Sequence, residues 1–196
     1  MKLFIRTIYF GLFLLSMVQF NTASAQGGMN IYSGISAAFS HDKNVTPAGF
    51  GHYGHFVGVD FRLNSGDLYF AGGGRYYFTS LLAEENTSFF NNANAYRYFS
   101  ARFGFGFNLL NLSYKNRLRS KIMGAFNIAG VSPDNMIDIP GYQRLNDSSA
   151  GVITGLGLDI GALTIDLEYQ FGLINAYYNQ QNSKFNVTSL AIGFFF

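Results

Sequence analysis

Histidines and a serine are the first places where this sequence could do chemistry. His41, His52 and His55 fall within one polar, glycine-containing stretch, with Asp42 beside the first of them. Two imidazoles and a carboxylate can hold a divalent metal, and Ser40 next to His41 offers a nucleophile beside a base. The spacing supports neither. Ser40 and His41 are adjacent, and adjacent residues of an extended segment point to opposite faces, so the pair cannot act together on one atom. The histidines follow no diagnostic ligand spacing, and no metal site is assigned. Gly104-Phe105-Gly106 and Gly155-Leu156-Gly157 resemble pieces of a dinucleotide fingerprint, but no helix follows either, and both read as strand glycines. With no cysteine in the chain, thiolate metal sites and disulfides are excluded. The reading is of a non-enzyme with no catalytic residue and no cofactor.

A second set of reactive groups is laid out more regularly. Asp60, Arg62, Arg75, Arg102, Arg119, Lys121, Asp159, Asp166 and Glu168 all occupy one phase of a two-residue alternation, and the opposite phase is largely apolar. A period of two is the mark of a strand with distinct faces. Strand one begins at Met29, with Ile31, Ile35, Ala37 and Phe39 against Asn30, Gly34, Ser36 and Ser40. Strand two, Tyr53 to Leu63, sets Tyr53, His55, Val57, Val59, Phe61 and Leu63 against Gly54, Phe56, Gly58, Asp60 and Arg62. Strand three runs from Leu68 to Phe78. Strand four, Ala95 to Leu110, alternates Phe99, Phe103, Phe105 and Phe107 with Ser100, Arg102, Gly104 and Gly106. Strand five opens after a short turn near Tyr114 to Arg117, strand six is Gly151 to Ile160, and strand seven is Leu163 to Leu173.

The eighth strand, Lys184 to Phe196, has Thr188, Leu190, Ile192, Phe194 and Phe196 on one side and Val187, Ser189, Ala191, Gly193 and Phe195 on the other. Three consecutive phenylalanines suit a strand that closes a barrel with lipid outside it. Between the strands, turns at Asn64 to Asp67, Tyr114 to Arg117 and Gly161-Ala162 alternate with long polar connections, of which Ser132 to Ala150 is the longest. Long and short connections in strict alternation are what an up-and-down barrel needs when both termini lie on the short-turn side.

The first 25 residues supply an address. Lys2 and Arg6 precede the apolar run Ile8 to Val18, and Ala23-Ser24-Ala25 has the small-residue pattern of a secretory cleavage site. The expected division is a signal peptide over residues 1–25 and a single barrel domain over 26–196, beginning at Gln26. Of the 13 Lys and Arg residues, Lys2 and Arg6 fall in this leader, so the remainder match the 11 Asp and Glu residues and the exported chain is formally neutral. Nothing in that balance points to nucleic acid. Charged residues make up 12% of the sequence, about half of what a soluble domain carries, while aromatics reach 18%.

Two closed architectures use such strands: a membrane barrel with its apolar face outward, or a soluble barrel with that face inward. The second phase decides between them, because it is filled by glycine, alanine and serine as much as by charge, where a solvated wall would be dense in Lys and Glu. Eight strands enclose an interior just wide enough for side chains. The nine charged residues are therefore expected to point inward and to pair, because an unpaired buried charge is expensive. The expected fold class is all-β, an eight-stranded antiparallel up-and-down transmembrane β-barrel with a plugged lumen. Arg97 falls on the lipid side near a strand end, and Tyr53, Tyr96, Tyr98, Tyr169, Tyr177 and Tyr178 are expected in the interfacial girdles.

On its leader, strand count, loop alternation and terminal aromatic, the chain resembles the small OmpA/OmpX-type outer-membrane barrels of Gram-negative bacteria and, more narrowly, PorT-like barrel domains. The resemblance implies an outer-membrane location with periplasmic termini and outer-membrane lipid as the surroundings. It also implies a closing strand (Leu190, Ile192, Gly193, Phe194, Phe196) read by the barrel-assembly machinery. A monomer with a structural or surface-interaction role is expected. Partner recognition, at the cell surface or in protein secretion, would fall to the long connections, with Phe89, Phe90, Met136, Ile137 and Ile139 as contact candidates. A barrel enzyme acting on lipid or peptide at the outer rim, a narrow small-solute channel and an accessory factor of secretion are the alternatives.

Overall fold

The computed structural model describes residues 27–40, 52–65, 67–80, 95–113, 116–129, 146, 148–175 and 181–196. The expected signal peptide and the contact candidates Phe89, Phe90, Met136, Ile137 and Ile139 lie outside the described residues. Eight strands follow one another: β1 (Gly27–Ser40), β2 (His52–Ser65), β3 (Leu68–Ser80), β4 (Ala95–Ser113), β5 (Asn116–Ala129), β6 (Ser148–Ile160), β7 (Leu163–Gly172) and β8 (Phe185–Phe195). Each pairs antiparallel with its neighbour in sequence, and β8 returns to β1, so the sheet is a closed barrel. The fold class is the all-β up-and-down arrangement that the alternation predicts.

Closure leaves no sheet edge to be satisfied by other means. The seam between β1 and β8 runs from Asn30 opposite Phe195 to Ser40 opposite Phe185. Beyond it the backbones of Met29 and Phe196 exchange two hydrogen bonds, of 3.0 and 2.9 Å, so the ladder continues through Phe196. Three connections at one end are two residues long, since Ser65 pairs Leu68, Ser113 pairs Asn116 and Ile160 pairs Leu163. Gly161 takes φ +63° in the third, a left-handed conformation that glycine adopts without a Cβ penalty, and its N–H donates to Asn116 Oδ1 at 3.1 Å.

Several boundaries differ from the expected ones. β6 starts at Ser148, because Ser148, Ser149 and Ala150 pair with Ile128, Asn127 and Phe126, residues that reading by polarity alone leaves in a loop. β4 reaches Ser113, and the turn after it shrinks to the residues between Ser113 and Asn116. Its register shifts between Asn108 and Leu110 and again between Asn111 and Ser113. The first shift leaves Leu109 and Leu110 both exposed on the outside, which alternation alone forbids. β7 ends at Gly172, although the Leu173 N–H still donates to Ala150 O at 2.8 Å.

Inside the barrel, aromatic rings lie across glycines of the neighbouring strand. Tyr32 faces Gly58, and Phe56 faces Gly34, within the β1–β2 pair, while Tyr69 faces Gly106 between β3 and β4. A Cβ placed on Gly58 would stand 2.5 to 2.7 Å from Tyr32 ring and hydroxyl atoms, so the glycine makes the space that the ring occupies. This arrangement lets large side chains lie flat in a narrow interior.

Candidate functional site

The inner wall carries all nine charged residues named from the sequence. Eight are buried, and Asp159, one residue from the β6–β7 turn, is half-buried. They form one continuous ionic network. At the short-turn end Arg62 bridges Asp159 at 3.1 Å, and Arg119 bridges Asp159 at 2.7 Å and Asp166 at 3.2 Å. Lys121 then joins Asp166, at 3.0 Å, to Glu168, at 2.5 Å. Glu168 also receives Arg75 and Arg102, each at 2.9 Å, and Arg102 reaches Asp60 at 3.6 Å. The contributing strands β2 to β7 each supply these groups on their inward phase, so the ladder that closes the barrel also sets the charges face to face.

The last two strands enter through hydroxyls. Tyr32 of β1 donates to Asp60 Oδ1 at 3.0 Å and accepts from Arg75 Nε and Arg102 Nη1, each at 3.4 Å. Ser189 of β8 accepts from Arg75 Nη1 at 3.3 Å and donates to Glu168 Oε2 at 3.4 Å. Arg75 also donates to the Tyr77 hydroxyl at 2.9 Å, and its guanidinium lies 4.0 Å from the Phe56 ring centroid. Tyr32 shares the inward phase of Asn30, Gly34 and Ser36 in the sequence, but its bulk among those small residues does not by itself mark it as a lumen group.

Nearer the long connections the lumen changes character. Tyr32, Phe56, Tyr77, Tyr98 and Ala191 form an apolar cluster, with the Tyr77 and Tyr98 rings stacked at 4.5 Å. Tyr98 therefore belongs to the interior and not to an outer girdle; its neighbour Arg97 takes the outward phase, and alternation turns Tyr98 inward. Tyr53 and Tyr169 do stand on the outer wall, half-buried, with Tyr169 edge-on to Phe171 at 4.6 Å. Tyr177, Tyr178 and the Tyr96 side chain lie outside the described residues.

The outer wall is apolar on every strand, from Ile31 and Phe61 through Phe103, Ile122 and Leu156 to Leu167. Leu190, Ile192, Phe194 and Phe196 of the closing segment are all exposed, and Gly193 faces inward against Tyr32. Among the described residues, the remaining Asp, Glu, Lys and Arg side chains sit at strand ends, Arg97 and Lys184 at one end and Asp67 and Arg117 at the other. His55 is on the outer wall too, stacked on Phe78 at 4.8 Å, while the His41 residue and the His52 side chain lie outside the described residues. Among the described residues no three His, Asp or Glu side chains are grouped so as to hold a metal ion.

A closed eight-stranded antiparallel sheet, charged within and apolar without, defines the class of small up-and-down barrels. A solved structure of the same architecture is the crystal structure of Neisserial surface protein A, an eight-stranded outer-membrane barrel. The two superpose with a TM-score of 0.53 at 15% sequence identity, over 89% of this chain and 100% of that one. No family model matches the chain, and no curated protein matches it.

Proposed function

We propose that this chain is an integral outer-membrane barrel with a plugged lumen, working as a monomer, with both termini in the periplasm and the long connections at the cell surface. One observation carries the reading: the outer wall has no ionised side chain between the strand ends among the described residues, while the inner wall holds nine. In water that arrangement is inverted, since each Å² of exposed apolar surface forgoes about 25 cal/mol of burial. In lipid it is the favourable one, and the closed ladder satisfies the backbone groups that lipid cannot. The signal-like leader supports export, and the likeness to a protein named for the bacterial surface supports a surface role.

In this reading the chain is a scaffold and not an enzyme. Contacts with surface or secretion partners fall to the long connections that carry Phe89, Phe90, Met136, Ile137 and Ile139. The segment Leu190, Ile192, Gly193, Phe194 and Phe196 is the strand offered to the barrel-assembly machinery. Density-gradient fractionation should recover the protein with the outer membrane, and mass spectrometry should find Gln26 at its N-terminus. In a planar bilayer the monomer should carry little steady current. Recovery as a soluble periplasmic protein would overturn the membrane reading; large stable channels would replace the plug by a pore.

A further inference from the structure

We propose that the outer wall carries a seat for one acyl chain of an anionic membrane lipid, with its phosphate held at Arg97. The proposal rests on the membrane reading above and names a ligand for a part of the wall that reading leaves uniform. The seat is a groove of about 510 Å³ crossing β8, β1, β2, β3 and β4. It follows two adjacent rows of the sheet. In one, Ile192 faces Ser33, Ser33 faces Val57, Val57 faces Tyr76 and Tyr76 faces Phe99. In the other, Gly74 lies opposite Val59 and Ala101.

Small residues cut the groove into an otherwise bulky wall. Ser33 and Gly74 present little side chain at its floor, and the Phe99 ring leans over Gly74, where a Cβ would come within 2.7 Å of it. Four inter-strand steps of about 4.8 Å give it a length of roughly 19 Å, enough for a lipid tail laid along it. Its lining holds no charged residue.

The cation stands at one end. Arg97 is two residues beyond Phe99 toward the long connections, on the same outward phase, and it is exposed. Its position is fixed across three strands, because Phe78 faces both His55 and Arg97 in register. The guanidinium lies 5.8 Å from the Phe78 ring centroid, and His55 stacks on the same ring from the other side of the row at 4.8 Å. A groove in lipid fills with hydrocarbon whatever the head group is. An arginine at the interface beside its mouth is what makes the choice of head group unequal, and an ionised phosphate that no head-group cation neutralises is its complement.

The test uses the full barrel reconstituted with equal amounts of phosphatidylglycerol and phosphatidylcholine bearing the same chains, followed by native mass spectrometry of the lipids that remain bound. The unaltered protein should retain one phosphatidylglycerol in preference. Arg97→Gln should lower that preference roughly five-fold, the effect of one interfacial cation. Ser33→Phe, which fills the floor with an apolar ring, should lower retention of both lipids. Equal retention of the two lipids by the unaltered protein, an unchanged preference in Arg97→Gln or unchanged retention in Ser33→Phe would each overturn the seat. Heat-modifiable migration on a gel is recorded for every variant. A folded barrel without lipid preference refutes the seat alone, whereas an unaltered protein that never becomes heat-modifiable in lipid refutes the membrane reading beneath it.

Discussion

The two walls of this barrel are made from alternate residues of the same strands and follow opposite rules. Arg102 and Phe103 are consecutive, yet the arginine is 2% exposed inside the lumen and the phenylalanine 68% exposed outside. On the outer wall most side chains are exposed and, in the proposed membrane setting, meet fluid hydrocarbon, so few depend on a particular neighbour. On the inner wall each group is tied to named partners: Glu168 alone receives Arg75, Arg102 and Lys121. The difference teaches that tolerance to change should itself alternate along each strand. The outer wall is defined by composition, and the inner wall by geometry.

The largest expected effect breaks both walls together. Removing Gly193 to Phe196 takes away the end of the β1–β8 seam, including the paired backbone bonds of Met29 and Phe196, and leaves unpaired backbone groups that cost several kcal/mol each in lipid. The truncated chain should give no heat-modifiable band on a gel. A compact band from it would mean that β8 is not needed to close the barrel.

Next comes a change confined to the inner wall. Glu168→Gln keeps the shape but removes the carboxylate that three cations share, and breaking a buried pair in this way should cost about 3–5 kcal/mol. Thermal unfolding of the reconstituted barrel should show a clearly lowered midpoint, while the outer-wall change Leu167→Ala, at an exposed position, should move it little. Equal effects from these sequence neighbours would erase the contrast between the walls.

A smaller and sharper test uses two glycines. Gly58 lies under the Tyr32 ring on the inner wall, whereas a Cβ on Gly72 of the outer wall meets nothing closer than 3.6 Å. Gly58→Ala should therefore destabilise by about 1–3 kcal/mol through forced displacement of the Tyr32 ring, and Gly72→Ala should be close to neutral. Unfolding midpoints of the two variants under identical conditions provide the comparison.

Much of this was legible in the sequence, because alternation is a local property and the two phases differ so strongly in chemistry. The strand count, the closing strand and the nine inward charges follow from it. Which charges meet does not: Arg62 and Asp159 are 97 positions apart, and only the register around the whole barrel brings them to 3.1 Å. The bulge at Leu109 and Leu110 was equally hidden, since a run of leucines and asparagines carries no sign of where the phase slips. Tyr32 was hidden for a different reason. A tyrosine suits a girdle as well as a lumen, and only its opposition to Gly58 shows that there is room for it inside.

The central claim, that lipid and not water meets the outer wall, can be tested with spin labels, because the chain has no cysteine and each introduced one is unique. Single cysteines at Phe103, Ile122 and Leu156, and at the buried Met123 and Ile153 for contrast, would be labelled in the reconstituted barrel. The account predicts that the three outer positions collide readily with oxygen dissolved in the bilayer and hardly at all with a water-soluble nickel chelate, while the two inner ones are shielded from both. Ready collision of the labels at 103, 122 and 156 with the nickel chelate would contradict it.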